Sequence, residues 1–363
     1  SSLLSDEQHE DYVAEVRAEN ADARRRHGLK DSAARAVSLI KARENKVEID
    51  WADWRPVEPA VLGLHTLEDY PLEELRARID WTPFFRTWEL IGTYPNILDD
   101  KFVGDTARSL LCDAERMLDR IISEKWLTAR GVFGLFPANS DGAETIHIYT
   151  DESRTKIGSN FHTIRQQIAK RDGKPNYALA DFIAPAEIGI NDYLGAFAVT
   201  TGIGIEDHVS RFEAAHDDYN TILLKALADR LAEAFAERLH ERIRTEFWGY
   251  AIGEAYDNDA LIREAYAGIR PAPGYPACPD HTEKKELFAL LDAKKSAGIE
   301  LTESYAMLPT ASVSGYYIAH PQSCYFGTGK IAKDQVEDYA ERKGIDVATA
   351  EKWLAPVLGY ERS

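Results

Sequence analysis

From Asn220 to Trp248 an apolar residue recurs at every third or fourth position, at Leu224, Leu227, Leu231, Phe235, Leu239, Ile243 and Phe247. This spacing predicts one long amphipathic helix, and its unbroken apolar stripe makes it the central scaffold of whatever packs around it. His216-Asp217-Asp218-Tyr219-Asn220 stands just before the helix and reads as its N-cap, with acidic charge placed against the positive end of the dipole. A second helix is predicted over 103–125, where Leu110, Leu111, Met117, Leu118, Ile121 and Ile122 keep near-helical spacing. Further helices are predicted over 257–267, 283–296, 334–343 and 347–358. Four short β-branched or aromatic stretches, 131–136, 145–149, 193–199 and 311–318, read as strands, the first two close enough to pair as an antiparallel hairpin. Strands and helices in separate runs predict an α+β domain around an antiparallel sheet.

The 363 residues are 44% hydrophobic and 10% aromatic, which provides for a substantial core and excludes the disordered classes. With 43 Lys+Arg against 61 Asp+Glu the net charge is −18, which excludes a sequence-independent grip on nucleic acid. No apolar run approaches the roughly 18 residues of a membrane span, and the first residues lack the basic-then-apolar order of a signal peptide. Cys112, Cys278 and Cys324 are odd in number and far apart, the pattern of reduced thiols in a cytoplasm. The chain opens on Ser1 and not on Met, which fits a piece of a longer polypeptide. Residues 6–45 mix charges of both signs, include Arg24-Arg25-Arg26 and read as a solvated helical arm. A packed domain starts near Trp51, where tryptophans, phenylalanines and prolines crowd together.

Most motifs that carry chemistry are missing: no P-loop, no G-x-S-x-G, no H-E-x-x-H and no C-x-x-C. Gly202-Ile203-Gly204 follows a strand, but Glu206-Asp207 would repel a pyrophosphate, so it reads as a turn. Cys278-Pro279-Asp280-His281, with His320 and Cys324 downstream, has an unorthodox spacing for structural zinc and reads as ordinary core and surface positions. No metal site is expected. The unusual stretch is Gly268 through Pro279, where Pro271, Pro273, Pro276 and Pro279 lock an extended backbone that cannot join a central strand. It reads as a stiff ledge at a sheet edge or groove wall. Its free carbonyls would suit an amine-bearing ligand, Arg270 offers a planar fork for a carboxylate, and Tyr275 offers a ring face and a hydroxyl.

That ledge, with its R-x-x-x-G-Y order, resembles the S-adenosylmethionine-binding activation domain of cobalamin-dependent methionine synthase. Ile79 through Phe85, Gly134 through Asn139, His216 through Asn220, Lys225 through Glu237 and Gln335 through Arg342 resemble the same family in the same order. The resemblance implies a C-shaped α+β domain over residues 33–363 with a twisted antiparallel sheet flanked by helices. Residues 1–32 would be the end of a cobalamin-binding module and its linker. It further implies reductive reactivation of cob(II)alamin to methylcobalamin, in which S-adenosylmethionine gives the methyl group and a flavodoxin or flavoprotein reductase gives the electron. Carried over by motif, Asp80 and Glu233 would meet the amine or sulfonium end and Arg270 the carboxylate. Ala272, Gly274 and Tyr275 would line the ledge, and Tyr325 and Phe326 the adenosine pocket, where Phe326 lacks the hydroxyl that the family often shows. No residue of the chain would act as a catalytic group, because cobalt is the nucleophile. Cobalamin would belong to the neighbouring module and zinc to the full-length enzyme only. Asp80 is equally placed to cap a helix opened by Thr82-Pro83, and Glu233 to be a solvated helix residue. Two other functions fit the same residues: a docking domain for the electron donor, and an independent small-molecule methyltransferase.

Overall fold

The computed structural model describes residues 36–170 and 173–362. Most of the charged arm, including Arg24-Arg25-Arg26, lies outside the described residues. Its end forms α1 (Leu39–Glu44), where the Ser38 hydroxyl accepts a hydrogen bond from the Lys41 amide. There follow β1 (Gly63–Leu67), the short helices α2 (Leu72–Arg76) and α3 (Trp81–Thr87), and α4 (Gly104–Ser123). Next come β2 (Thr128–Ser140), β3 (Thr145–Tyr149), β4 (Ile157–His162), β5 (Asp192–Ile203), α5 (Ile205–Ala214) and the long α6 (Asp218–Arg242). The chain continues through α7 (Asn258–Ile262), α8 (Glu283–Leu291), α9 (Ala293–Ala297), a small hairpin of β6 (Glu300–Leu301) and β7 (Met307–Leu308), β8 (Ser312–Tyr317), α10 (Lys333–Lys343) and α11 (Val347–Trp353).

The main sheet has the order β4-β3-β2-β5-β8, every pair antiparallel, and β1 joins β2 beside β3. β2 and β3 form the expected hairpin, with Ala138 opposite Ile148. The central β5 is buried along nearly its whole length, because helices cover both faces of the sheet. Side chains alternate across a strand, so Phe197 and Val199 face α6 and α4 while Ala196 and Ala198 face α8 and α9. Leu224, Leu227, Leu231 and Phe235 of α6 fill the first of these cores with Leu118 and Ile121 of α4. Asp217 caps α6, its carboxylate accepting from the Asn220 amide at 3.1 Å.

Several predicted boundaries differ, each for a local reason. The helix expected over 257–267 stops at Ile262, because Glu264 adopts a left-handed backbone (φ 55) that turns the chain toward the ledge. The segment 283–296 is two helices broken at Asp292 (φ 46). The helix over 347–358 ends at Trp353, just before Pro356, which has no N–H to continue it. α6 gives way at Ile243 to a π-helical turn through Phe247. The strands β1, β4, β6 and β7 and the helices α2 and α5 are not among the expectations, while α3 is the helix foreseen at Thr82-Pro83.

Candidate functional site

The ledge docks on the outer edge of β8. The Ile269 amide donates to the Ile318 carbonyl at 2.9 Å, Ile318 returns the bond at 3.0 Å, and the Tyr316 amide reaches the Pro271 carbonyl at 2.8 Å. Pairing ends there, since Pro271 and Pro273 have no N–H to give. Gly315 of β8 makes the approach possible, because a Cβ at that position would lie 2.6 Å from the Pro271 carbonyl oxygen. Gly274 then turns the chain with a left-handed backbone (φ 96), and a Cβ there would run into the His281 ring. The expectation of free carbonyls needs correcting. Those of Ile269, Pro271, Ala272, Tyr275, Pro276 and Cys278 all accept backbone hydrogen bonds, so the ledge spends much of its main chain on its own rigidity.

Beside the ledge runs a groove of about 480 Å³ whose walls include Glu233, Arg270, Ala272, Tyr275, Tyr325 and Phe326. An adjoining pocket of about 300 Å³ shares Glu233, Arg270 and Tyr275 with it and adds Asp80, Glu237 and Glu264. Seven of the eight residues singled out in the sequence therefore line these two adjoining pockets, and Gly274, the eighth, lines neither. Asp80 caps α3, accepting from the Thr82 amide at 2.9 Å, and also lines the adjoining pocket. Glu233 is half-buried on α6, one turn before Glu237. The Tyr325 hydroxyl accepts from the Arg270 amide at 2.9 Å, and Phe326 stacks on Tyr177 with ring centres 5.7 Å apart.

Arg270 is the most constrained of these side chains. Its Nη2 pairs with Glu237 at 2.8 Å, and its Nη1 donates to the Tyr266 hydroxyl at 2.9 Å and to Nδ1 of His240 at 3.3 Å. Burial opposes its charge, but the Glu237 carboxylate more than offsets this, and its pKa lies above the ordinary arginine range. Five N–H groups minus these three leave Nε–H and one Nη2–H without a partner among the described residues. Glu237, His240, Tyr266 and Glu264 are not among the sequence expectations. Glu237 and His240 sit among the many polar residues of an amphipathic helix, Arg238, Glu241 and Arg242 included, and nothing in the spacing sets them apart.

Elsewhere Cys278 is buried in the second core, and Asp280 accepts from the Tyr339 hydroxyl at 2.6 Å and from Lys343 at 3.0 Å. Among the described residues no group of three His, Cys, Asp or Glu side chains is arranged to hold a metal ion. Gly204 turns the chain into α5 with φ 93.

An antiparallel sheet whose edge is finished by a rigid ledge, beside a groove that brings carboxylates, aromatic rings and an arginine fork together, defines a small-molecule-binding α+β module. The family described as the vitamin B12 dependent methionine synthase activation domain matches residues 71–344, and the chain belongs to that family. It is also similar to the MetH reactivation domain in its crystal structure bound to AdoHcy, with 54% sequence identity and a TM-score of 0.87 over 90% of this chain and 100% of that one.

Proposed function

We propose that the groove binds S-adenosylmethionine and holds its methyl group toward cobalamin carried by a neighbouring module of the same polypeptide. The observation that carries this reading is the unpartnered Nε and Nη2 edge of Arg270, set in a groove that also presents Asp80, Glu233 and Glu264, the rings of Tyr275, Tyr325 and Phe326, and two further cations, Arg78 and Arg230. A ligand with a carboxylate, an ammonium, a sulfonium and an adenosine matches that set. Arg270 takes the carboxylate through two parallel N–H donations. Asp80 and Glu233 supply acceptors and negative charge to the ammonium and sulfonium. Ala272 and Gly274 keep the ledge backbone close, Tyr275 covers the methyl end, and Tyr325 and Phe326 flank the adenosine. The combined volume lies within the range of sites for molecules of this size. That the similar MetH domain is bound to AdoHcy supports the same reading.

Cobalamin supplies the reduced cobalt that takes the methyl group. The residues of this chain need no general base; they bind, orient and shield. Residues 1–32 end the cobalamin-binding module and linker, and 33–363 form the activation domain. A flavodoxin or flavoprotein reductase is the electron donor, and zinc is confined to another part of the full-length enzyme. A cytoplasmic setting fits the three unpaired cysteines and the absence, among the described residues, of a helix long and apolar enough to cross a membrane. The test is calorimetric titration with S-adenosylmethionine and S-adenosylhomocysteine. Both should bind, and Arg270→Ala should weaken each by about 2 to 4 kcal/mol. Unchanged affinity in a variant with a native melting profile refutes the role given to Arg270.

A further inference from the structure

His240 is fully buried in α6, its ring stacked on Tyr317 of β8 at 5.2 Å and edge-on to Tyr266 at 4.9 Å. An imidazole sealed in a core needs partners for both nitrogens. Nδ1 faces Nη1 of Arg270 at 3.3 Å, and a guanidinium can only donate, so Nδ1 is the accepting nitrogen. The ring proton then sits on Nε2, 3.4 Å from the Tyr250 hydroxyl oxygen. Burial pushes the His240 pKa well below its ordinary value, and Arg244 and Arg270 push the same way, so the accepting form persists at neutral pH. The second N–H of Nη1 goes to the Tyr266 hydroxyl. Tyr266 is itself fixed, because the Arg244 guanidinium lies over its ring at 4.1 Å and is tied to Glu254 at 2.6 Å.

We infer that His240 and Tyr266, with Glu237, form a cradle that fixes the plane of the Arg270 guanidinium and turns its Nε and Nη2 edge to the groove as a ready fork for a carboxylate. His240 and Tyr266 are positioning residues and line neither pocket. The inference rests on the reading of the groove given above and adds the source of its selectivity for the amino-acid end of the ligand. A guanidinium free to rotate would lose that freedom on binding, whereas one held by Glu237 and by the two fixed partners His240 and Tyr266 has little left to lose.

The experiment compares two ligands by calorimetry. S-adenosylhomocysteine carries the carboxylate; 5′-methylthioadenosine keeps the thioether and adenosine but has no amino-acid end. His240→Phe keeps the ring and removes the acceptor, His240→Asn restores an oxygen near the place of Nδ1, and Tyr266→Phe removes a single oxygen. His240→Phe and Tyr266→Phe should each bind S-adenosylhomocysteine about tenfold more weakly while holding methylthioadenosine as the parent does, and His240→Asn should recover most of the loss. Equal losses for the two ligands would show a merely structural role and overturn the inference. So would full S-adenosylhomocysteine affinity in Tyr266→Phe, which decides the matter should His240→Phe fail to fold. A parent chain that binds neither compound refutes the reading of the groove itself and the cradle with it.

Discussion

Tyr275 leaves 58% of its surface open although it stands on a stiff segment beside Glu233 and Arg270. A ring that size, held away from the core by Gly274 and the prolines around it, has surface to give to a ligand. In the proposed reading the ring, not the hydroxyl, aims the methyl group, so Tyr275→Phe should transfer the methyl nearly normally in the full-length enzyme. Tyr275→Ala should lose transfer more than binding, because misplacement by about 1 Å can cost about 100-fold in rate. Single-turnover methylation of the reduced cofactor checks this; equal rates for the parent and Tyr275→Ala at saturating ligand would assign the residue to loop packing. At this scale the sequence was informative where backbone chemistry forced a position. Arg270 could be singled out because prolines follow it. Tyr266 and His240 could not, because their value lies in meeting Arg270 in space, and nothing in the spacing between 240, 266 and 270 announces that meeting.

The ledge and the long helix are the elements that make the groove, and they fail in different ways. Gly274→Ala would have to hold a left-handed backbone and displace the His281 ring, so it should shift Tyr275 and weaken ligand binding more than it lowers the melting temperature. An affinity equal to the parent's would show that the turn is not needed in this form. Leu231→Ala, by contrast, empties space between α6 and the sheet and should cost about 2 to 5 kcal/mol of stability, read from denaturant unfolding. The helix α6 was legible from its own periodicity, as were β2, β3, β5 and β8 from their β-branched and aromatic runs. The missed elements are short or lean on others. β1 is five residues pairing along part of β2, and β4 carries Gly158 and a largely exposed face, so neither has a pattern to read. The carbonyls of the ledge were misjudged because proline shows which N–H groups are absent but not where the carbonyls go.

For the molecule as a whole, the buried ionisable groups set the response to acid. Burial lowers His162 and His320 to about 4, Arg342 and Lys343 adding to the effect at His162, and burial also lowers His240 well below its ordinary value. Between the unfolded value of 6.5 and about 4 the unfolded chain takes up protons that these rings refuse, so their contribution to stability is lost as the pH falls through that window. Asp192 works in the opposite sense: burial raises it to about 7 from 3.8, so the folded state gains from its proton as the pH falls from 7 toward 3.8. His208 and His281 are lowered too and act with these histidines, Asp181, Asp229, Glu264 and Glu283 are raised and act with Asp192, and the melting temperature should drop between pH 7 and pH 4.5. Asp192→Asn should make that drop steeper; a flat profile in the parent would contradict the account. As a separate expectation, the isolated chain should release no S-adenosylhomocysteine from S-adenosylmethionine beyond the spontaneous rate. The docking of the ledge on β8 has one more consequence, for behaviour in solution. A bare outer edge on a sheet is a template for strand addition by another chain, and a segment whose prolines cannot donate is a poor one. The prolines that stiffen the groove wall thus also make this edge of the sheet a poor template for a strand of another copy.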